Sequence, residues 1–178
     1  YNTNESKNII SRSQEIVENA DFDKSEVKLV GVGKLLKNKG FDRILKITNR
    51  LIKEGYKIHT YILGEGPERE RLQKYINENN LHNQVSLLGY QLNPYKYIAK
   101  CDLFVCSSYA EGFSTAASEA LILGIPVCTV EVSGMREMLG NNEYGLITEN
   151  DDEALYQGIK KLLDDKSLLE YYRKQAAI

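Results

Sequence analysis

Two glutamates in this chain could do chemistry on a hydroxyl-rich ligand. Glu111 and Glu119 bracket Gly112-Phe113-Ser114-Thr115-Ala116-Ala117-Ser118. Gly112 permits a sharp turn, and Ser114 or Thr115 can cap a helix whose free amides then form an anion site. Thr115 and Glu119 are four residues apart and share a helical face. A carboxylate beside a diphosphate would be repelled, so each glutamate suits hydrogen bonds from sugar hydroxyls, Glu111 from one sugar and Glu119 from a ribose. A capping carboxylate followed by an exposed helical glutamate would show the same spacing, and spacing alone does not separate the two.

Two other clusters could meet a phosphate or a ring. Gly31-Val32-Gly33-Lys34, with Lys37, Lys39 and Gly40, offers glycines for close backbone approach and lysines for negative charge. It is neither a Walker motif nor a GxGxxG fingerprint, and on this segment alone a solvated loop with ordinary lysines is the favoured reading. Gly64-Glu65-Gly66-Pro67 is either a loop on which a ligand ring lies against backbone or a tight turn before a proline-started helix. Cys101, Cys106 and Cys128 lie in or beside apolar stretches without metal-ligand spacing, which points to buried thiols in a reducing compartment. His59 sits in a strand pattern and His82 in a polar turn, neither beside a nucleophile, which argues against a hydrolase triad.

What positions these loops is a regular alternation of strand and helix. Residues 27–32, 57–63, 85–88, 102–106, 127–130 and 146–148 read as strands. Between them, Phe41, Ile44, Leu45, Leu51 and Ile52 recur at helical spacing up to Gly55, a C-cap. Pro67 opens a helix carrying Leu72, Tyr75 and Ile76, and 94–99 forms a short one. A helix over 115–123 stops at Gly124, a helical turn covers 134–139, and helices fill 152–165 and 168–177. Near-continuous apolar strands alternating with helices predict an α/β fold, a doubly wound parallel sheet of Rossmann-like type covered on both faces. Ligands then gather at the carboxyl ends of the strands, in the loops 31–40, 64–67, 89–93 and 107–115. Ile9, Ile10, Ile16 and Val17 suggest one further helix ahead of this unit.

The chain has 178 residues, with 23 Lys and Arg against 25 Asp and Glu, scattered and without a basic cluster. That balance argues against nucleic acid as a partner. No apolar run is long enough to span a bilayer.

Four segments together resemble glycosyltransferase family 4, of the GT-B fold and the group 1 glycosyl transferases. VGVGKLLKNKGFD resembles the family's strand followed by Gly-Arg and Lys-Gly, and LGEGPERERL its Gly-x-Gly loop ending in Leu. VSLLGY resembles its Val-x-Phe-x-Gly strand, and EGFSTAASEALILGIPV its Glu-Gly-Phe-Gly to Glu-Ala segment ending in Gly-x-Pro-Val. The four arrive in order over roughly residues 27 to 150, and the set is specific where its members singly are not. Tyr1-Asn2 resembles the Asn-containing linker that enters the second domain.

The resemblance implies a role for each matched residue. Lys39 would grip a donor diphosphate, and Lys34 stands where the family usually has arginine, giving a point charge in place of a bidentate fork. Glu111 would contact the transferred sugar and Glu119 the ribose. Gly33, Gly64, Gly112 and Phe113 belong to the donor-binding loops. Ser114 and Thr115 fall where backbone amides meet the diphosphate, with Ser114 replacing the usual Gly. Tyr90 and Gln91 fall beside the nucleobase. The implied catalytic set is Glu111, Lys39 and Lys34, with no metal and no cofactor; a nucleoside-diphosphate sugar is the substrate.

The implied organisation is that residues 1–25 are a linker and helix from an N-terminal domain the chain lacks, and 26–178 the nucleotide-sugar-binding, C-terminal half. The implied activity is retaining transfer of a sugar, of hexosyltransferase type, in polysaccharide biosynthesis. The acceptor, a glycan, lipid or protein, would be bound by the other domain, so the isolated chain is expected to be inactive. The expected location is the cytoplasm, with peripheral attachment to the inner face of the membrane left to the other domain. Two rival readings share these residues: a GT-B nucleotide-sugar epimerase, and a non-enzymatic nucleotide-binding module. Intact Glu111, Glu119 and Lys39 argue against the second.

Overall fold

The computed structural model describes residues 3–17, 22, 26–110 and 114–176. Six strands form among these residues: β1 Val27–Val32, β2 Ile58–Leu63, β3 Val85–Gly89, β4 Leu103–Cys106, β5 Val127–Val130 and β6 Leu146–Thr148. They pair in parallel throughout, in the order β3-β2-β1-β4-β5-β6. This is the doubly wound sheet the alternation predicts. The strand order reverses between β1 and β4, so the crevice beyond their carboxyl ends is where such a sheet takes a ligand.

Among the described residues eight α-helices accompany the sheet: α1 Thr3–Ser13, α2 Phe41–Lys53, α3 Arg69–Glu78, α4 Tyr95–Ile98, α5 Thr115–Ile122, α6 Met135–Leu139, α7 Asp152–Asp164 and α8 Lys166–Ala176. Strand side chains alternate between two buried cores, as a period of two demands. Leu29, Ile62, Val105 and Cys128 join residues of α2, α3, α7 and α8 on one face. Val30, Tyr61, Phe104 and Val127 join residues of α4, α5 and α6 on the other. The three cysteines are free and buried, as their apolar settings suggested. Burial pushes the Cys128 thiol up to about 12, so it stays protonated and unreactive.

Two helices differ from expectation. Pro67 does not open α3; it lies in a turn, and the helix begins at Arg69. The amide of Glu68 is committed to the Leu35 carbonyl (3.0 Å) and that of Arg69 to Gly66 (3.1 Å), which holds the segment in a turn before the helical ladder starts. Likewise α1 stops at Ser13, short of Ile16 and Val17. The Ser13 hydroxyl donates to the Ile10 carbonyl (2.6 Å), a local bond that competes with helix continuation. Ile16 is left 80% exposed, whereas Val17 packs on the second core. Gly55 does terminate α2 with φ of 96°, and Tyr56 donates back to Leu51 (3.0 Å).

Candidate functional site

The loops leaving β1, β2 and β3 are knitted to one another by backbone. The Gly33 amide donates to Leu63 (3.0 Å), Gly64 to Gly89 (2.9 Å) and Leu35 to Glu65 (2.9 Å). Gly64 is required here: a Cβ at this position would stand 1.8 Å from the Gly33 carbonyl oxygen. The glycine-rich segments therefore serve close approach of backbone to backbone, a use distinct from the approach to a ligand that their sequence suggested.

These loops border a cleft of about 540 Å³. Gly33 and Lys34 line it after β1, Gly64 and Glu65 after β2, Tyr90, Gln91, Leu92, Pro94 and Tyr95 after β3, and Glu119 from α5. Its size and mixed apolar and polar lining suit a small-molecule site. Lys34 is exposed and Glu119 half-buried. Tyr90 and Leu92 are 71% and 80% exposed, so the rim presents apolar area to solvent. Gln91 donates its amide to the Leu88 carbonyl (2.8 Å), which leaves its side-chain oxygen as an acceptor. Glu65 is ion-paired with Arg69.

Lys39 and Ser114 do not line this cleft. They border a small adjoining hollow with Val32, Phe41, Ser107 and Ser108. Val32 belongs to both, so the two spaces meet at the end of β1. Of the two cap candidates in the sequence, Ser114 and Thr115, it is Ser114 that caps α5: its hydroxyl accepts from the Ala117 amide at 3.2 Å. The amides of Thr115 and Ala116, in the first turn, stand outside the helical ladder at the positive end of the helix. Thr115 itself is exposed and is not a lining residue, so the shared face with Glu119 does not bring both into the cleft. Glu111, Gly112 and Phe113 lie outside the described residues. Tyr1-Asn2 does too.

A second group, absent from the sequence reading, fixes the segment after β4. Arg43, 4% exposed, donates to the Ser107 carbonyl (3.1 Å), to Asn150 (2.6 Å) and to Asp152 (2.7 Å). Its guanidinium carbon stands 3.9 Å from the centre of the Tyr109 ring. The Asn150 amide donates to the carbonyls of Ser108, Tyr109 and Glu131 (3.1–3.3 Å). Asn38 donates to Ala110 (3.1 Å) and accepts from the Tyr109 amide (2.8 Å), and the Ser107 hydroxyl donates to the Lys39 carbonyl (3.2 Å). Residues 107–110, which run directly into Glu111, are thus tied to the Lys39 turn and to the start of α7. The phenol of Tyr109 is pushed up to about 12, first by burial and then by its hydrogen bond to Asp42.

Among the described residues, no three His, Cys, Asp or Glu side chains gather as a metal site would need. Asp21 and Asp23, an Asp-x-Asp pair, flank Phe22, whose ring stacks on Tyr61 at 4.1 Å; the two aspartates lie outside the described residues. His59 is buried, bonded to Ser86 (2.8 Å) and 3.4 Å from Glu26, in the first half of β2 away from the cleft. No helix of the described residues is long and apolar enough to cross a membrane.

The family model described as glycosyl transferases group 1 matches residues 12–178. The chain is 39% identical over 150 residues to the Campylobacter jejuni N-acetylgalactosamine-N,N'-diacetylbacillosaminyl-diphospho-undecaprenol 4-alpha-N-acetylgalactosaminyltransferase, covering 83% of this chain and 40% of that protein. It is 31% identical over 151 residues to the Bacillus subtilis poly(glycerol-phosphate) alpha-glucosyltransferase, covering 84% of this chain and 22% of that one. The chain thus spans two fifths or less of these curated relatives. Among solved structures, a Staphylococcus aureus TarM mutant in complex with Fondaparinux, alpha-GlcNAc-glycerol and UDP superposes with a TM-score of 0.79 at 22% identity, over 92% of this chain and 33% of that one. The C-terminal domain of LpcC, a Francisella tularensis group 1 glycosyl transferase, superposes with a TM-score of 0.76 at 19% identity, over 90% of each chain.

Proposed function

The chain belongs to the group 1 glycosyl transferases, and from that premise we propose that it is the donor-binding half of an enzyme moving a sugar from a nucleoside diphosphate to an acceptor. The observation that carries this reading is the cleft at the carboxyl ends of β1, β2 and β3, with Lys34 and Glu119 on its walls and the capped start of α5 beside it. Lys34, Lys39 and the first amides of α5 hold the diphosphate and stabilise the charge it gains on leaving. Glu119 accepts hydrogen bonds from ribose hydroxyls. The nucleobase lies by Tyr90 and Gln91, and Glu111 orients the transferred sugar. Uridine diphosphate is the first nucleotide to consider, because TarM was solved with UDP.

Assignment to family 4, and with it retention of configuration, rests on the four ordered motifs. Retention requires the acceptor oxygen to reach the face of the sugar from which the diphosphate departs. The acceptor belongs to a domain beyond this chain, with residues 1–25 as its linker and 26–178 as the donor domain. A lipid-linked glycan acceptor, read at the inner face of the membrane, is suggested by the undecaprenol-linked substrate in the name of the Campylobacter relative. The reaction is proposed to need no metal. Calorimetry of this chain with UDP, GDP and ADP tests the reading. One nucleotide, UDP by this account, should bind in the micromolar to millimolar range, and no binding of any at millimolar concentration would overturn it.

A further inference from the structure

The rim of the cleft after β3 has little packing of its own. Tyr90 and Leu92 are mostly exposed, and Gln91 is held by one bond to its own strand. Yet the rim is tied firmly to a part of the molecule that does not touch the cleft. Arg12, in the last turn of α1, donates to the Leu92 carbonyl, and its guanidinium carbon stands 5.1 Å from the centre of the Tyr95 ring. Asn93 returns the contact: its amide donates to the Arg12 carbonyl and to the Glu15 carboxylate, each at 2.8 Å. The partners are 80 residues apart in sequence.

The carbonyl of Arg12, in the last turn of α1, accepts from the Glu15 amide (3.3 Å) and takes a second, shorter bond from Asn93. The Leu92 carbonyl stands in a loop outside any ladder, and a charged guanidinium is a strong donor to it. Breaking the staple would thus loosen the end of α1 and the cleft rim together. Burial of Ile9 alone could seat α1, but it would not fix the backbone of residues 92–95.

We infer that Arg12 and Asn93 are positioning residues for the nucleotide cleft, tying α1 to its rim so that α1 docking and cleft occupancy stabilise one another. This rests on the cleft being the nucleotide site. Linkage makes the effect reciprocal: whatever factor α1 docking adds to nucleotide affinity, nucleotide must add to α1 docking.

The test is amide hydrogen exchange of α1 in the full-length protein, with and without UDP, alongside UDP affinity in Arg12→Met, Asn93→Ala and the double variant. UDP should slow exchange in α1 about fivefold or more, although no residue of α1 lines the cleft. Each variant should weaken UDP by a similar factor and raise the donor KM more than it lowers kcat. The double variant should lose no more than the worse single one, because the two residues act as one unit. The wild-type exchange measurement needs no variant to fold. If UDP binds the wild type while α1 exchange is unchanged and the variants bind normally, α1 is merely seated there and the inference is wrong with the cleft assignment intact. If UDP fails to bind the wild type, the cleft assignment itself falls and the inference with it.

Discussion

The loops after β1, β2 and β3 and the segment after β4 share one edge of the sheet but are held there by different means. The first wall is secured by backbone: amide to carbonyl from Gly33, Leu35 and Gly64, and glycine packed against carbonyl at Gly64. The second wall, residues 107–110, is secured mainly by side chains, with Arg43 and Asn150 reaching in from α2 and from the turn before α7. A wall built on backbone contacts tolerates many side chains but almost no change at its glycines. A wall built on side chains can be loosened in steps. By this account the first wall binds the nucleotide and the second aims the residues that act on the sugar, so the two should fail differently.

The largest effect should come from the first wall. In Gly64→Ala the new Cβ must displace the Gly33 carbonyl, at a φ of 152° that L side chains rarely adopt. A loss of about 3 kcal/mol or more in urea unfolding is expected, with loss of nucleotide binding. Gly55→Ala is the control: its φ is 96° but nothing lies within 4 Å, so only the conformational cost of about 1–2 kcal/mol should appear.

Arg43→Met should come next. It removes the donor to the Ser107 carbonyl and to Asn150, whereas Asp152 at 61% exposure can turn to water. About 2 kcal/mol of stability should be lost. In the full-length enzyme, turnover should fall while UDP affinity stays within about threefold, a split that would fail if the two walls were one unit.

Ser114→Ala deletes the cap of α5 and should cost about 1 kcal/mol in the same unfolding assay, with Ser114→Gly costing less. The smallest effect is a pH dependence. The Tyr109 phenol is raised from 10.0 to about 12, by burial first and by Asp42 second. Its contribution is therefore complete below pH 10 and is lost as pH climbs toward 12. Tyr109→Phe should flatten the alkaline limb of a stability–pH curve over that window.

The same contrast decides what could be read from sequence. All six strands were legible, because a period of two and a β-branched composition are local signals. The first wall was legible as glycines at strand ends, and Ser114 as one of two cap candidates, because turn and cap chemistry is also local. The Arg43 contacts join residues 64 to 109 positions apart, and no pattern around Arg43 marks it as buried. The Arg12–Asn93 staple is silent for the same reason. Pro67 misled because proline favours a helix start, and only the pairing of Glu68 with Leu35 across loops shows that the helix waits for Arg69.

The central claim is that the segment after β4 delivers a carboxylate to the transferred sugar while the opposite wall holds the nucleotide. It is tested most directly by turnover of the full-length Glu111→Ala variant at saturating donor, with UDP titrated in parallel. The account predicts turnover reduced about a hundredfold or more, with UDP affinity and melting temperature little changed. Turnover equal to the wild type, with Glu111 gone, would contradict it.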